Sequence, residues 1–111
     1  MNAVEIEEAI TLLFDKRFNA SEFPYDFLMA FGNKLTTIKK LRSGSSNKSD
    51  IGGILQRNNI HLATCEIGKV NEKLNELKKS SYTNSANAKF ILATDGITIE
   101  AEDLNSGEIV I

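Results

Sequence analysis

Five cations stand between residues 34 and 48 before an acid appears: Lys34, Lys39, Lys40, Arg42 and Lys48, with Asp50 closing the run. Ammonium and guanidinium groups at that density are what phosphate oxygens require as partners. Arg57 follows in "ILQRNN" and completes the set of candidates for contact with a nucleic-acid backbone. The competing reading is the wet side of an ordinary helix. At about 100° per residue, Leu35, Ile38 and Leu41 share one face, Lys40 and Thr36 lie roughly opposite, and Lys39 is on the flank. Lys34 and Arg42 fall within or beside the apolar stripe. The cations therefore surround the helix instead of forming one stripe, which suits a solvated corner or phosphate contact better than base readout. Segments 24–31 and 34–43, joined at Gly32-Asn33, also have the outline of a helix-turn-helix. In that motif the place four residues before the glycine wants a small side chain, and here it holds Leu28.

Other constellations carry less chemistry. His61 and Cys65 fall on one face of an extended run with Ala63 between them, but zinc needs three or four such ligands, so a packed pair is expected. On a strand the two lie too far apart for His61 to serve a Cys65 nucleophile as base. "SGSSNKSDIGG" has glycines and a lysine in the wrong order for a phosphate loop. Glu100, Glu102 and Asp103 could gather a divalent ion, though a solvated strand face is the plainer expectation.

The elements that must position these groups can be read from periodicity. "NAVEIEEAITLLFDKRF" is a predicted helix, with Ile6, Ile10, Leu13 and Phe14 on its apolar face. Glutamates in its first turns and Lys16 and Arg17 in its last match the helix dipole. A second helix is expected from Pro24 to Phe31, stopped by Gly32, and a third from an Asn33 cap to about Ser43. After a glycine-punctuated loop, residues 54–67 read as one or two strands. "GKVNEKLNELKKS" is an amphipathic helix on Val70, Leu74 and Leu77, where Glu76 can pair with Lys73 or Lys79. "SYTNSANA" reads as a polar loop. Two β-rich runs then flank Asp95-Gly96, a two-residue hairpin signal, with Ile97, Ile99 and Ala101 facing inward and Thr98, Glu100 and Glu102 outward. A turn leads into the final apolar run "EIVI", and an apolar strand at the end of a chain suggests a piece of something longer.

The bulk numbers bound the rest. The 111 residues are 41% hydrophobic with a net charge of -2, which suits one domain and one core, so any polyanion site must be a local patch. One cysteine excludes an internal disulfide and fits a reducing compartment. No apolar run of about 18 residues exists and the acidic start lacks the basic and apolar segments of a secretory leader, so a cytoplasmic location without a membrane span is expected.

Over almost its whole length the chain resembles a known family. "AFGNKLTTIKKLRSGSSNKSDIGGILQRNNIHLATC" and "AKFILATDGITIEAEDLNSGE" are similar to the N-terminal segment of the MmeI-like, class I S-adenosylmethionine-dependent DNA methyltransferases of bacterial type II restriction–modification. The resemblance implies a longer parent, with a helical connector, a methyltransferase domain and a target-recognition domain following. It implies S-adenosylmethionine and an N-P-P-[FY] motif for adenine methylation in that parent. Neither a G-x-G loop nor that motif is present here, since Pro24 is the single proline, so no cofactor is expected in this segment.

Some relatives use the segment as a PD-(D/E)xK nuclease, which needs carboxylates and a lysine on adjacent strands to hold Mg²⁺. The corresponding positions after Asp50 are Asn59, Ile60 and His61, and the nearest substitute is Glu66 with Lys69, one residue out of register. The expectation is an α+β domain, with α/β as an alternative: N-terminal helices on a small mixed sheet, a degenerate restriction-endonuclease-like core being one architecture that fits. Three functions stay open. They are a non-catalytic accessory domain touching DNA or the downstream methyltransferase domain, a nuclease using Asp50, Glu66 and Lys69, and a protein-interaction domain without DNA affinity.

Overall fold

The computed structural model describes residues 3–14, 18–30, 33–44, 47, 49 and 53–110. The expected elements at Lys16–Arg17 and the stop at Gly32 lie outside them. In chain order these residues form α1 (Ala3–Phe14), α2 (Phe23–Ala30), α3 (Leu35–Arg42), β1 (Ile54–Gln56), β2 (Ile60–Thr64), α4 (Val70–Lys79), α5 (Ser81–Ser85), β3 (Phe90–Thr94), β4 (Ile99–Asp103) and β5 (Ile109–Val110).

The strands make one mixed sheet in sequence order, β1-β2-β3-β4-β5. Only β2 and β3 run parallel, paired from Ile60↔Phe90 to Thr64↔Thr94, while the other neighbours are antiparallel. A parallel pair needs a crossover, and α4 with α5 supplies it. This is the expected α+β fold, with helices on both faces of the sheet.

Strand alternation divides the core in two. Ile60, Leu62, Phe90, Leu92, Ile99 and Ala101 meet Ile6, Ile10, Phe27, Leu28, Ile38 and Leu41 from α1–α3. On the opposite face Ala63, Ile91 and Ala93 meet Val70 and Leu77 of α4. Leu28, awkward for a helix-turn-helix, is fully buried in the larger cluster, where its bulk is useful.

Several local expectations change. Leu35 is 58% exposed, because the inward stripe of α3 runs through half-buried Thr37 and buried Leu41 and Ile38, and Leu35 lies roughly 115° from its centre. Lys39 then becomes the residue aimed most directly away from the core. Asn33 does not cap α3, whose N-cap is Lys34. Its amide instead donates to Leu28 O at 2.8 Å, satisfying the end of α2.

"SYTNSANA" is not a plain loop, since Ser80 Oγ accepts the Tyr82 N–H and starts α5. The β3–β4 connection is longer than a two-residue hairpin. The Asp95 carboxylate accepts N–H bonds from Ile97 and Thr98 at 2.8 and 2.7 Å, which lifts Ile97 out of the ladder and leaves it 70% exposed. Nor is the outer face of β4 fully wet: Glu102 is mostly covered by α4 and pairs with Lys78 at 3.1 Å. The anticipated Lys73–Glu76 pair is present at 3.4 Å.

Candidate functional site

Of the expected phosphate contacts, Lys34, Lys39 and Lys40 are exposed on α3 or at its cap. Three cations in the last turn, Lys39, Lys40 and Arg42, suit the negative end of the helix dipole. Arg42 is spoken for: its guanidinium donates to both Glu22 carboxylate oxygens, at 3.1 and 2.8 Å, and lies 4.1 Å from the Tyr25 ring centre. The Arg42 hydrogen bond holds the Glu22 carboxyl below its ordinary range and raises Arg42 in turn. Lys48 lies outside the described residues.

Arg57 is exposed at the turn between β1 and β2. The fold brings it toward Lys34 although 23 positions separate them in sequence. Their neighbours are joined, Gln56 Nε2 donating to Asn33 Oδ1 at 2.9 Å. Gln56 Oε1 accepts from Asn59 Nδ2 at 2.5 Å, and the Asn59 backbone oxygen accepts from the N–H of Lys89 at 2.8 Å. A chain of amide groups thus runs across the amino ends of β2 and β3, with Lys34, Arg57 and Lys89 along it. None of these three, nor Lys39, has an ion pair among the described residues. Sequence reading missed Lys89, because it stands alone before a β-run, and pairing of β2 with β3 is needed to bring it alongside Asn59.

The loop before β1 is built by side chains. Asn47 Oδ1 accepts from Ser49 N and Leu55 N, both at 3.0 Å, and Asn47 Nδ2 donates to Gly53 O. Gly53 has no room for a side chain: a Cβ there would overlap Leu62 O. Ser49 Oγ accepts from Gly53 N and sits 2.8 Å from Nε2 of the fully buried His61. At the other ring nitrogen, 2.9 Å from Nδ1, Thr83 Oγ1 spends its own hydrogen on Leu77 O. Thr83 must therefore accept from an Nδ1–H. His61 is thus a buried strut between the loop and α5, bonded to Ser49 and Thr83 and not to Cys65, and these partners were invisible in the sequence.

The two described members of the nuclease set, Glu66 and Lys69, do not lie on strands. Glu66 and Lys69 close a turn, Lys69 N donating to Glu66 O at 3.0 Å, and the Lys69 ammonium lies 3.5 Å from Glu72. Asp50 lies outside the described residues. Glu102 is engaged by Lys78, and Asp103 caps its own turn through Asn105 N and Ser106 N. Among the described residues no three His, Cys, Asp or Glu side chains converge as metal ligands.

A nucleotide-type cofactor loop would be sought where β2 passes into α4. The glycine there, Gly68, donates its N–H to Asp95 Oδ2 at 2.9 Å. No described helix is long and apolar enough to cross a membrane.

Comparison with known families gives a match over the whole chain: the family described as MmeI, N-terminal domain, aligns with residues 1–111. No curated protein and no solved structure matches.

Proposed function

Since the chain belongs to the MmeI N-terminal domain family, the N-terminal domain of a restriction–modification enzyme, we propose that it is a non-catalytic accessory domain that touches the DNA backbone. The parent in this reading is an adenine-specific DNA methyltransferase. S-adenosylmethionine belongs to that parent's downstream domain, beside which this one packs.

One observation carries the reading. Lys34, Lys39 and Arg57 are exposed without ion pairs among the described residues, and the Asn33–Gln56 hydrogen bond fixes the turn of Arg57 against the start of α3. Cations held on a rigid frame and left unneutralised can replace counterions along a phosphate chain. Arg42 contributes least, being bound to Glu22.

Fluorescence anisotropy with a short duplex tests this. Affinity should fall steeply between about 50 and 200 mM salt. The double reversal Lys34→Glu/Lys39→Glu should remove binding with circular dichroism unchanged, as both side chains are exposed, and with only a small loss of melting temperature from the Glu placed at the negative end of the α3 dipole. Binding that ignores salt and the reversal would leave a protein-interaction domain in its place.

A further inference from the structure

Tyr82 is a half-exposed ring on α5, and it does not stand alone. Together with Arg57, Ser85 and Ala86 it lines a groove of about 280 Å³. One backbone and one side-chain hydrogen bond fix the two walls relative to each other: Asn58 N donates to Ala86 O at 2.8 Å, and Asn87 Nδ2 donates to Asn58 Oδ1 at 3.3 Å. Both asparagines hold positive φ, 64° and 55°, a backbone state their short amide side chains tolerate, so the turns are shaped by their sequence. The groove opens on the same pole as Lys89 and Lys34. It offers one aromatic face, one guanidinium without an ion pair among the described residues, and a rim of amides.

We propose that this groove is a subsite for single-stranded nucleic acid, in which one unpaired base stacks on the Tyr82 ring while Arg57 holds the adjoining phosphate. The inference rests on the DNA-contact reading above and adds a ligand class to it. Every base has a π-face, so a lone ring beside a cation accepts any sequence. A groove of this size admits one flat ring and not a duplex. Lys89 and Lys34 continue the cationic path for neighbouring phosphates. An acidic peptide would use Arg57 too but would gain little from an exposed phenol face.

The test uses the intact chain with a labelled oligothymidylate and a duplex of equal length. Tyr82→Ala should weaken single-strand binding about tenfold, the range of one stacked base, with duplex binding unchanged. Tyr82→Phe should bind both like the parent, and Arg57→Ala should weaken both and lower the salt slope by about one. Circular dichroism should be the same for all three, because both side chains are exposed. If Tyr82→Ala holds the single strand as tightly as the parent chain while duplex binding persists, the subsite is wrong and the phosphate reading stands. Binding of neither oligomer would overturn both. Polyglutamate that displaces the strand equally from the parent and from Tyr82→Ala would replace the base with an acidic peptide.

Discussion

At the carboxyl ends of β2 and β3 the Asp95 carboxylate takes the N–H groups of Gly68, Ile97 and Thr98, and Thr94 Oγ1 donates to Thr98 O. At the amino ends of the same two strands the amides bond one another and leave Arg57, Lys89 and Tyr82 facing water. Sheets with parallel strands usually bind ligands at their carboxyl ends. Here the Asp95 turn at that end is held by its own hydrogen bonds and the lysines beside it, Lys69 and Lys73, pair with Glu72 and Glu76, while cations without such pairs stand at the other end. Polar residues at a loop cluster therefore mean opposite things according to whether their partners lie within the fold.

Four substitutions would break or sharpen this contrast. The largest effect is expected for Thr83→Val. It keeps the shape of a side chain beneath the amino-end groove but strips partners from both the His61 ring and Leu77 O. The cost should be about 1–3 kcal/mol, a fall in melting temperature of several degrees for a domain of this size. Melting unchanged within error would mean the His61 strut does not support α5.

Asp95→Asn comes next and should act through pH. Hydrogen bonds from Thr98, Gly68 and Ile97 hold the Asp95 carboxyl below its ordinary 3.8. A lowered folded pKa gives stability that is complete above 3.8 and is lost as pH falls through the lower folded value. The parent chain should thus lose stability below that pH more steeply than the asparagine variant, which starts less stable at neutrality. Parallel curves of urea midpoint against pH would show that the carboxylate is not what closes this end.

Lys89→Ala should weaken duplex binding modestly, lowering the salt slope by about one while sparing stability. An unaltered slope would confine the cationic pole to Lys34 and Arg57. Arg42→Ala should do least to DNA affinity, since its charge is already matched by Glu22. A loss exceeding that of Lys39→Ala would show that the Glu22 pair opens on binding.

Much of the architecture could be read before any coordinates, because period and turn chemistry are local. Val70 and Leu77 turned inward as their spacing implied, and Asp95-Gly96 did mark a chain reversal. Failures came where a side chain chose a distant partner. Asn33 looked like a cap for the helix after it and became the seal of the helix before it. Leu35 fitted an apolar stripe until Thr37 shifted the stripe's centre. The site was half legible. The basic run named Lys34 and Lys39, and Arg57 was found by type alone. What joins them is the sheet, through Gln56 and Asn59, and no spacing rule links residue 33 to residue 56.

Cys65 lies one residue beyond β2, half-buried, with its Sγ donating to Thr94 O at 3.5 Å. Burial, and then the nearby Asp95 charge, push its thiol above the ordinary value of 9.0, so little thiolate exists at neutral pH. The chain therefore carries a single built-in chemical reporter beside the Asp95 turn. Alkylating reagents should modify it slowly, at a rate set by the small thiolate fraction of a half-buried sulfur. Labelling followed by mass spectrometry should quicken in Asp95→Asn, where the carboxylate that helps hold the thiol protonated is gone.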